Sequence, residues 1–591
     1  MQPKHIQKKN LLISTALIII LGLSVYFGSL GGKFIWDDRY LVEDNVYIKN
    51  WHHIPKIFTK DIGAGSGRTY NFHRPLQTLS YMVDYSLWKL DVRGYHLTNI
   101  LLHILVVLGI YWLVSILFKD SLLSFLTSIF FLVHPIHAGP VNYISARANS
   151  LVALFMLLAI IFYIKALDIK KPILFLSMIL TYIAALLSRE LALILPVLLL
   201  LYHYIFKKKI KPREFLSILT ITFIYILLRF TVLKTSLVHP VIATTLFERL
   251  PGFFVAISSY IRLLILPFDL HMEYGMKLFD LTDPRVTIGL LLLTLSLIYG
   301  LRKEKSNNLI LFSVSWFFIM LLPVSNLYPV NAYMSEGWLY VPSIGFFLLL
   351  AKVLSHLYRT ERFRIFTIIL TIGLLSFYSS LTIKENTHWR EPIAFYKRTL
   401  KYAPDSPRVH NNLGNAYYNM GREEEAIALY KKALEIDPDN EEAYFNQGVI
   451  YDSTNRNKEA ISSYKKAIEI NPDYADAYHN LGVAYNSINR NKEAISSYKK
   501  AIEINPDHAD AYNNLGVAYN SINRNAEAIA SYKKAIEINP GHGMAYNNLG
   551  NACYNANKKE EAIASYKKAL KINPRNIDAY NNLNFVYDSI K

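Results

Sequence analysis

Residues 475–508 read ADAYHNLGVAYNSINRNKEAISSYKKAIEINPDH, and residues 509–542 read ADAYNNLGVAYNSINRNAEAIASYKKAIEINPGH. The second stretch is the first repeated, and the 34-residue step continues on both sides. Pro404, Pro438, Pro472, Pro506, Pro540 and Pro574 follow it, as do Gly414, Gly448, Gly482, Gly516 and Gly550. Ala426, Ala460, Ala494, Ala528 and Ala562 keep the same spacing, and so do Tyr430, Tyr464, Tyr498, Tyr532 and Tyr566. Self-similarity at this period belongs to stacked pairs of helices. Small residues let the helices approach, the tyrosines fill the gaps, and Pro punctuates the turn between units. The last third of the chain is therefore an all-α solenoid.

This is the tetratricopeptide pattern, expected over residues 388–591 as five full repeats with a partial one at each end. Cys553, the single cysteine, takes a place held elsewhere by Tyr417, Tyr451, Tyr485 and Tyr519, which makes it a packing residue. One cysteine excludes a disulfide scaffold and a cysteine metal site. Asn412, Asn446, Asn480, Asn514, Asn548 and Asn582 mark one position in every repeat. An amide carries both donors and an acceptor, so a ladder of them suits a polypeptide backbone of any sequence. It resembles the asparagine ladder of the nucleocytoplasmic O-GlcNAc transferase; ordinary polar surface is the alternative.

The first two thirds have a different composition. From residue 385 onward there are 26 basic and 26 acidic residues, so the net charge of +18 lies entirely in residues 1–384. That part is apolar, with runs long enough to cross about 30 Å of hydrocarbon near 11–30, 96–118, 121–138, 149–166, 172–188, 190–206, 214–232, 286–301, 309–327, 338–356 and 363–383. About eleven spans are expected in a polytopic domain over 1–384. The basic excess sits between apolar runs and reads as membrane topology, with the lipid bilayer rather than nucleic acid as partner.

Lys4/Lys8/Lys9, Lys165/Lys170/Lys171, Lys207/Lys208/Lys209/Lys211/Arg213, Arg302/Lys303/Lys305 and Arg359/Arg362/Arg364 share one side if the N-terminus is cytoplasmic. Residues 251–267 are short for a span and contain Arg262, so they are expected at the interface or as a re-entrant segment. The repeats then lie outside the cytoplasm: in the periplasm beside a bacterial inner membrane, or in the lumen of the endoplasmic reticulum in a eukaryotic host. The long first outer loop, 31–94, carries Asp37 and Asp38, and later outer loops hold His134, His137, Arg147, Arg189, Glu190 and Glu336. Ionisable groups gathered at one end of apolar spans suggest a shared site.

Five blocks, FIWDDRYLVEDN, HRPLQTLSY with GYHLTNILLH, FLVHPIHAGPVNYISARAN, LLSRELALILP and SEGWLYVPSIGF, occur in order through residues 34–346. Together with the repeats they resemble the transmembrane and tetratricopeptide-repeat O-mannosyltransferases, of the type C glycosyltransferases. The resemblance implies transfer of a sugar, mannose by analogy, from a polyprenyl-phosphate donor to Ser/Thr hydroxyls of a polypeptide acceptor on the extracytoplasmic face. Arg189 stands where Lys is expected and Gly337 where a basic residue is usual.

Such a transfer needs a base for the hydroxyl proton and positive charge for the departing phosphate. Asp37 and Asp38 are the catalytic candidates. Asp38 is favoured as the base, with Asp37 orienting the acceptor or holding a divalent cation, Mg²⁺ or Mn²⁺. Arg74, Arg147, Arg189, Glu190 and Glu336 are candidates for donor-phosphate contact or positioning, with helix anchoring and internal ion pairing as alternatives. His134 and His137 are expected to line substrate or pack. Two other functions remain open: a ligase moving whole lipid-linked glycans, and a non-catalytic scaffold recruiting partners through its repeats.

Overall fold

Helix is the only regular secondary structure among the described residues, as the apolar runs and the 34-residue period require. In this computed structural model those residues are 4–169, 171–231, 245–275, 277–301, 308–327, 330 and 332–589. The chain divides into two compact units, Met1–Pro404 and Asp405–Lys591.

In the first unit, five stretches are long and apolar enough to cross a membrane: Leu11–Gly31, Val92–Phe118, Ile144–Asp168, Pro212–Thr231 and Glu361–His388. Ser121–Val133 and Pro135–Asn142, bent by 57°, make a sixth if taken as one broken span. Pro172–Ser188, Glu190–Ile205, Pro284–Tyr299 and Asn308–Val324 are also apolar but have 17 residues or fewer. Eleven full-length spans are thus not found among the described residues. Polar and helix-breaking residues, at His134-Pro135, Ser188-Arg189-Glu190 and Pro323, shorten or bend several of the expected runs. Lys170 and the cluster Arg302/Lys303/Lys305 lie outside the described residues.

The first helix illustrates how these elements divide their surfaces. Ile18, Val25 and Tyr26 are buried against protein, while Leu12 and Ile20 are exposed, a pattern that hydrocarbon tolerates and water does not. Leu246–Ile265 is not among the crossing helices. A capping box at Thr245 and Glu248 starts it, and it buries Val255, Ala256, Tyr260, Leu263 and Leu264 on one face. Between the first span and Val92–Phe118 the chain makes short turns of helix and then the helix Pro75–Trp88, opened by Pro75 in its first turn.

The second unit contains five helix pairs. Pro407–Tyr418 pairs with Glu423–Ile436, Glu441–Ser453 with Asn457–Ile470, Ala475–Ser487 with Asn491–Ile504, Ala509–Asn520 with Asn525–Ile538, and Gly543–Asn555 with Lys559–Ile572. A single helix, Ile577–Asp588, follows, whereas Pro392–Tyr402 belongs to the first unit. The periodic residues explain the packing. A Cβ on Gly482 would meet the Tyr498 ring at 2.6 Å, and Tyr430, Tyr464, Tyr498, Tyr532 and Tyr566 repeat this contact beside wholly buried alanines. The turn inside each pair needs one residue in the left-handed region. Gly421 supplies it first, then Asn455, Asn489, Asn523 and Asn557, the residue type that tolerates positive φ best after glycine. Cys553 is buried in this packing.

Candidate active site

The two adjacent aspartates have unlike surroundings because of Trp36. This residue has φ 56°, a strained conformation for a bulky side chain. It is held there by its N–H, which donates to the Tyr396 hydroxyl at 2.9 Å, and by its ring, which packs against Phe395 and Tyr396. Asp38 is then turned fully inward. Its Oδ1 accepts from the Ser145 N–H at 2.7 Å and the Ser145 hydroxyl at 2.6 Å, and its Oδ2 from the Ile35 N–H at 3.2 Å. Burial pushes its pKa up to about 7, against the pull of those donors and with a small push from the charge of Asp37. Asp37 is only half-buried. Tyr143 donates its hydroxyl to Oδ2 at 2.8 Å, and Tyr70 donates to Oδ1 at 3.3 Å.

Tyr143 and Ser145 also line a cavity of about 140 Å³. Its walls include Arg74, Asn149, Arg189, His271, Glu336, Gly337, Trp338 and Trp389, so segments far apart in sequence converge here. Arg74 donates to Glu190 at 3.2 Å, and Arg229 meets the other oxygen of Glu190 at 3.1 Å. One carboxylate is thus shared by two guanidinium groups. Arg189 donates to the side-chain oxygen of Asn149 and has no ion-pair partner among the described residues. Glu336 accepts from the His271 N–H and the Tyr274 hydroxyl, both at 2.6 Å and both on Oε1. Burial raises the Glu336 pKa to about 8.

The cavity joins Arg74, Arg189 and Glu336, with Glu190 behind Arg74 and Asp37 behind Tyr143. Arg147 belongs elsewhere. It is wholly buried and pairs with Asp84 at 2.6 Å, while also donating to Asn99, Ser80 and the Tyr95 carbonyl. A guanidinium so engaged, with zero exposure and outside the cavity lining, anchors helices. His134 and His137 both have zero exposure, and neither lines the cavity. His134 Nε2 lies 3.2 Å from the Leu264 carbonyl, and the His137 ring packs on Phe131 with centroids 4.1 Å apart.

The residues do not fit a divalent cation at the aspartate pair. Asp38 has three donors on its two oxygens, and each Asp37 oxygen faces a tyrosine hydroxyl. No group of three or more His, Cys, Asp or Glu among the described residues is placed to hold a metal.

In the second unit, the asparagine ladder is tied between repeats. Asn446, Asn514, Asn548 and Asn582 donate to Asn411, His479, Asn513 and Asn547 respectively, each 35 residues earlier. Asn480 has Phe445 at that earlier position, and all six ladder residues, Asn412 included, are half-buried.

Profiles described as "Tetratricopeptide repeat" match residues 407–440, 429–462, 509–542 and 544–576, and one described as "TPR repeat" matches 448–488 and 484–521. Protein O-mannosyl-transferase F38B6.6 of Caenorhabditis elegans is 28% identical over 69% of this chain and 61% of its own length. Protein O-mannosyl-transferase TMTC3 of Homo sapiens is 25% identical over 69% of this chain and 50% of its own. Over 69% of its length the chain is similar to these protein O-mannosyl-transferases. It spans between half and two thirds of these two relatives. A crystal structure of MamA is 35% identical, over 28% of this chain and 95% of its own, with a TM-score of 0.27.

Within the family pattern, the two departures fall on the same cavity. Arg189 keeps a cation in its wall, and Gly337 leaves the wall bare, with its Cβ direction opening toward the Asn149 amide 3.6 Å away. Sequence reasoning missed His271, Asn149, Tyr143 and Ser145. The last two stand inside the quoted block FLVHPIHAGPVNYISARAN, as does Asn149, and were legible as part of it. His271 carried no signal, since the loop 266–275 matches none of the blocks.

Proposed function

We propose that this chain is a membrane glycosyltransferase that moves a sugar, mannose by kinship, from a polyprenyl-phosphate donor to Ser/Thr hydroxyls of polypeptides. The observation that carries the reading is the cavity lined by Arg74, Arg189 and Tyr143, the residue whose hydroxyl holds Asp37. In this reading Asp37 is the base and Asp38 positions it, the reverse of the assignment favoured from sequence. Only Asp37 is exposed enough to meet an acceptor hydroxyl. As the acceptor oxygen bonds to the anomeric carbon, its proton passes to Asp37. The bond from that carbon to the phosphate oxygen breaks, and its electron pair leaves on the phosphate, which Arg189 and Arg74 stabilise.

The acceptor is a polypeptide held in the groove of the repeats, where the side-chain oxygens of Asn446 and Asn548 accept from backbone N–H groups. Purified full-length chain should transfer radiolabelled mannose from a polyprenyl monophosphate donor to a folded or unfolded protein acceptor. Asn446→Ala with Asn548→Ala should raise KM for that acceptor several-fold and leave transfer to a short peptide nearly unchanged, each lost hydrogen bond costing about 0.5–1.5 kcal/mol. No transfer from the monophosphate donor, with transfer from a pyrophosphate-linked glycan instead, would replace this reading by the ligase.

The same reading puts the repeats outside the cytoplasm. A cysteine introduced at Glu560, an exposed position, should react with a membrane-impermeant maleimide without lysis of the membrane that holds the chain. Labelling that requires lysis of that membrane reverses the orientation.

A further inference from the structure

We infer that Tyr396 and Tyr402, on the last helix of the first unit, are positioning residues of the active site. Tyr396 sets the turn that carries Asp37, and Tyr402 sets the part of the cavity wall made by His271. The inference rests on the functional reading above and deepens it, by naming residues that act through those lining the site. Both belong to the helix Pro392–Tyr402. They are six residues apart, which is about 9 Å along a helix. One short rigid element therefore reaches two parts of the site that are remote from each other in sequence.

At the first end, the Tyr396 hydroxyl accepts from the Trp36 N–H at 2.9 Å, and the rings of Phe395 and Tyr396 pack on the Trp36 ring. Trp36 has φ 56°, and a bulky residue stays in that region only where its surroundings over-determine it. Asp37 follows directly, so the direction of its carboxylate depends on this anchor. Phe395 also packs on Trp389, with ring centroids 4.7 Å apart. Trp389 stacks on Tyr143, and both line the cavity.

At the other end, the Tyr402 ring stacks on the His271 ring, with centroids 4.9 Å apart and an interplanar angle of 15°. The Tyr402 hydroxyl donates to Asp269 Oδ1 at 3.1 Å. Asp269 has φ 62°, and its carbonyl lies 2.8 Å from His271 Nδ1. The His271 N–H in turn donates to Glu336 at 2.6 Å, and His271 and Glu336 both line the cavity. The two ends thus share one device. Each tyrosine hydroxyl ties down a non-glycine residue at positive φ, Trp36 or Asp269, one or two positions before a residue of the site. Packing alone calls for neither hydroxyl, since Phe would fill the same space. Between them Arg398 pairs with Glu385 at 2.5 Å, which fixes the helix against the end of Arg364–His388.

The test is a split between kcat and KM. It uses full-length chains in lipid nanodiscs, a short-chain polyprenyl phosphate carrying radiolabelled mannose as donor, and an unfolded protein as acceptor. Tyr396→Phe removes the hydroxyl and keeps the ring. It should lower kcat about 10–100-fold, as a misplaced catalytic group does, with donor KM unchanged. Tyr402→Ala should raise donor KM about three- to tenfold, the worth of a lost ring pair, with kcat near wild type. Tyr402→Phe, which keeps the stack, should bring donor KM back toward wild type. Tyr402 is half-buried at the end of its helix, so Tyr402→Ala decides alone where Tyr396→Phe does not fold. Neither variant changing either constant, or both constants moving together in step with the melting temperature, overturns the positioning role. A wild-type chain that transfers nothing from this donor overturns the functional reading beneath it.

Discussion

Asp37→Asn is expected to lower sugar transfer by about 10²–10⁴-fold while leaving donor binding and the melting temperature near wild type. Asn keeps the size of the side chain and can still accept from Tyr143, but it cannot take the acceptor proton, and a positioned base is worth about that factor. Asp38→Asn should behave differently. Its Oδ1 and Oδ2 are filled by Ser145 and Ile35, so an amide would aim its N–H₂ at one of these donors. Leaving buried donors unmatched costs about 1–3 kcal/mol, so this variant should melt earlier and lose activity with its fold.

A pH signature separates the two further. The folded-state pKa of Asp38 is raised to about 7 from an ordinary 3.8, so the folded state holds this proton more tightly than the unfolded chain. Its contribution to stability is therefore fully present below about pH 4 and declines as pH rises toward 7. Asp38→Asn should remove that slope from the melting temperature, and Asp37→Asn should leave it. Near-normal transfer by purified Asp37→Asn means that Asp37 is not the base, and the scaffold reading then gains.

Much of the architecture was legible because it is periodic or composed of long apolar runs. The 34-residue step placed the paired helices, and the buried alanines and tyrosines are the residues that the step had singled out. The number of crossing helices was less legible, since several apolar runs make helices of 17 residues or fewer and the run 121–138 bends by 57° at Pro135. At the site, residue type pointed to the outer loops, but direction was not available. Asp37 and Asp38 are neighbours in sequence, and only the positive φ of Trp36, imposed by Tyr396 some 360 residues on, sends one inward and leaves the other half-exposed. The ladder asparagines present the same difficulty. Their spacing marks them, yet what their amides bind depends on the residue 35 places earlier, which is Asn, His or Phe in different repeats.

Arg147 and Arg189 make the sharpest contrast, and it yields the second large effect. From sequence both were arginines at the outer ends of apolar helices. In the fold, Arg147 has zero exposure and Asp84, 63 residues earlier, pairs with it at 3% side-chain exposure. Asn99, Ser80 and the Tyr95 carbonyl take three more of its N–H groups, and the Tyr81 ring lies 4.8 Å from its charge. Removing one partner of such a pair leaves an uncompensated buried charge, which costs about 3–5 kcal/mol. Arg147→Met should therefore lower the melting temperature and the yield of folded chain strongly. Met with Asp84→Asn, which removes both charges, should recover most of that loss, as replacing a buried pair by groups of similar volume often does. Arg189→Met should do the reverse: it keeps the melting temperature, since Glu190 retains Arg74 and Arg229 as its ion-pair partners, and weakens polyprenyl phosphate binding. If Arg147→Met folds as well as wild type and loses only donor binding, the guanidinium contacts phosphate after all, and the division of the two arginines between anchor and site is wrong.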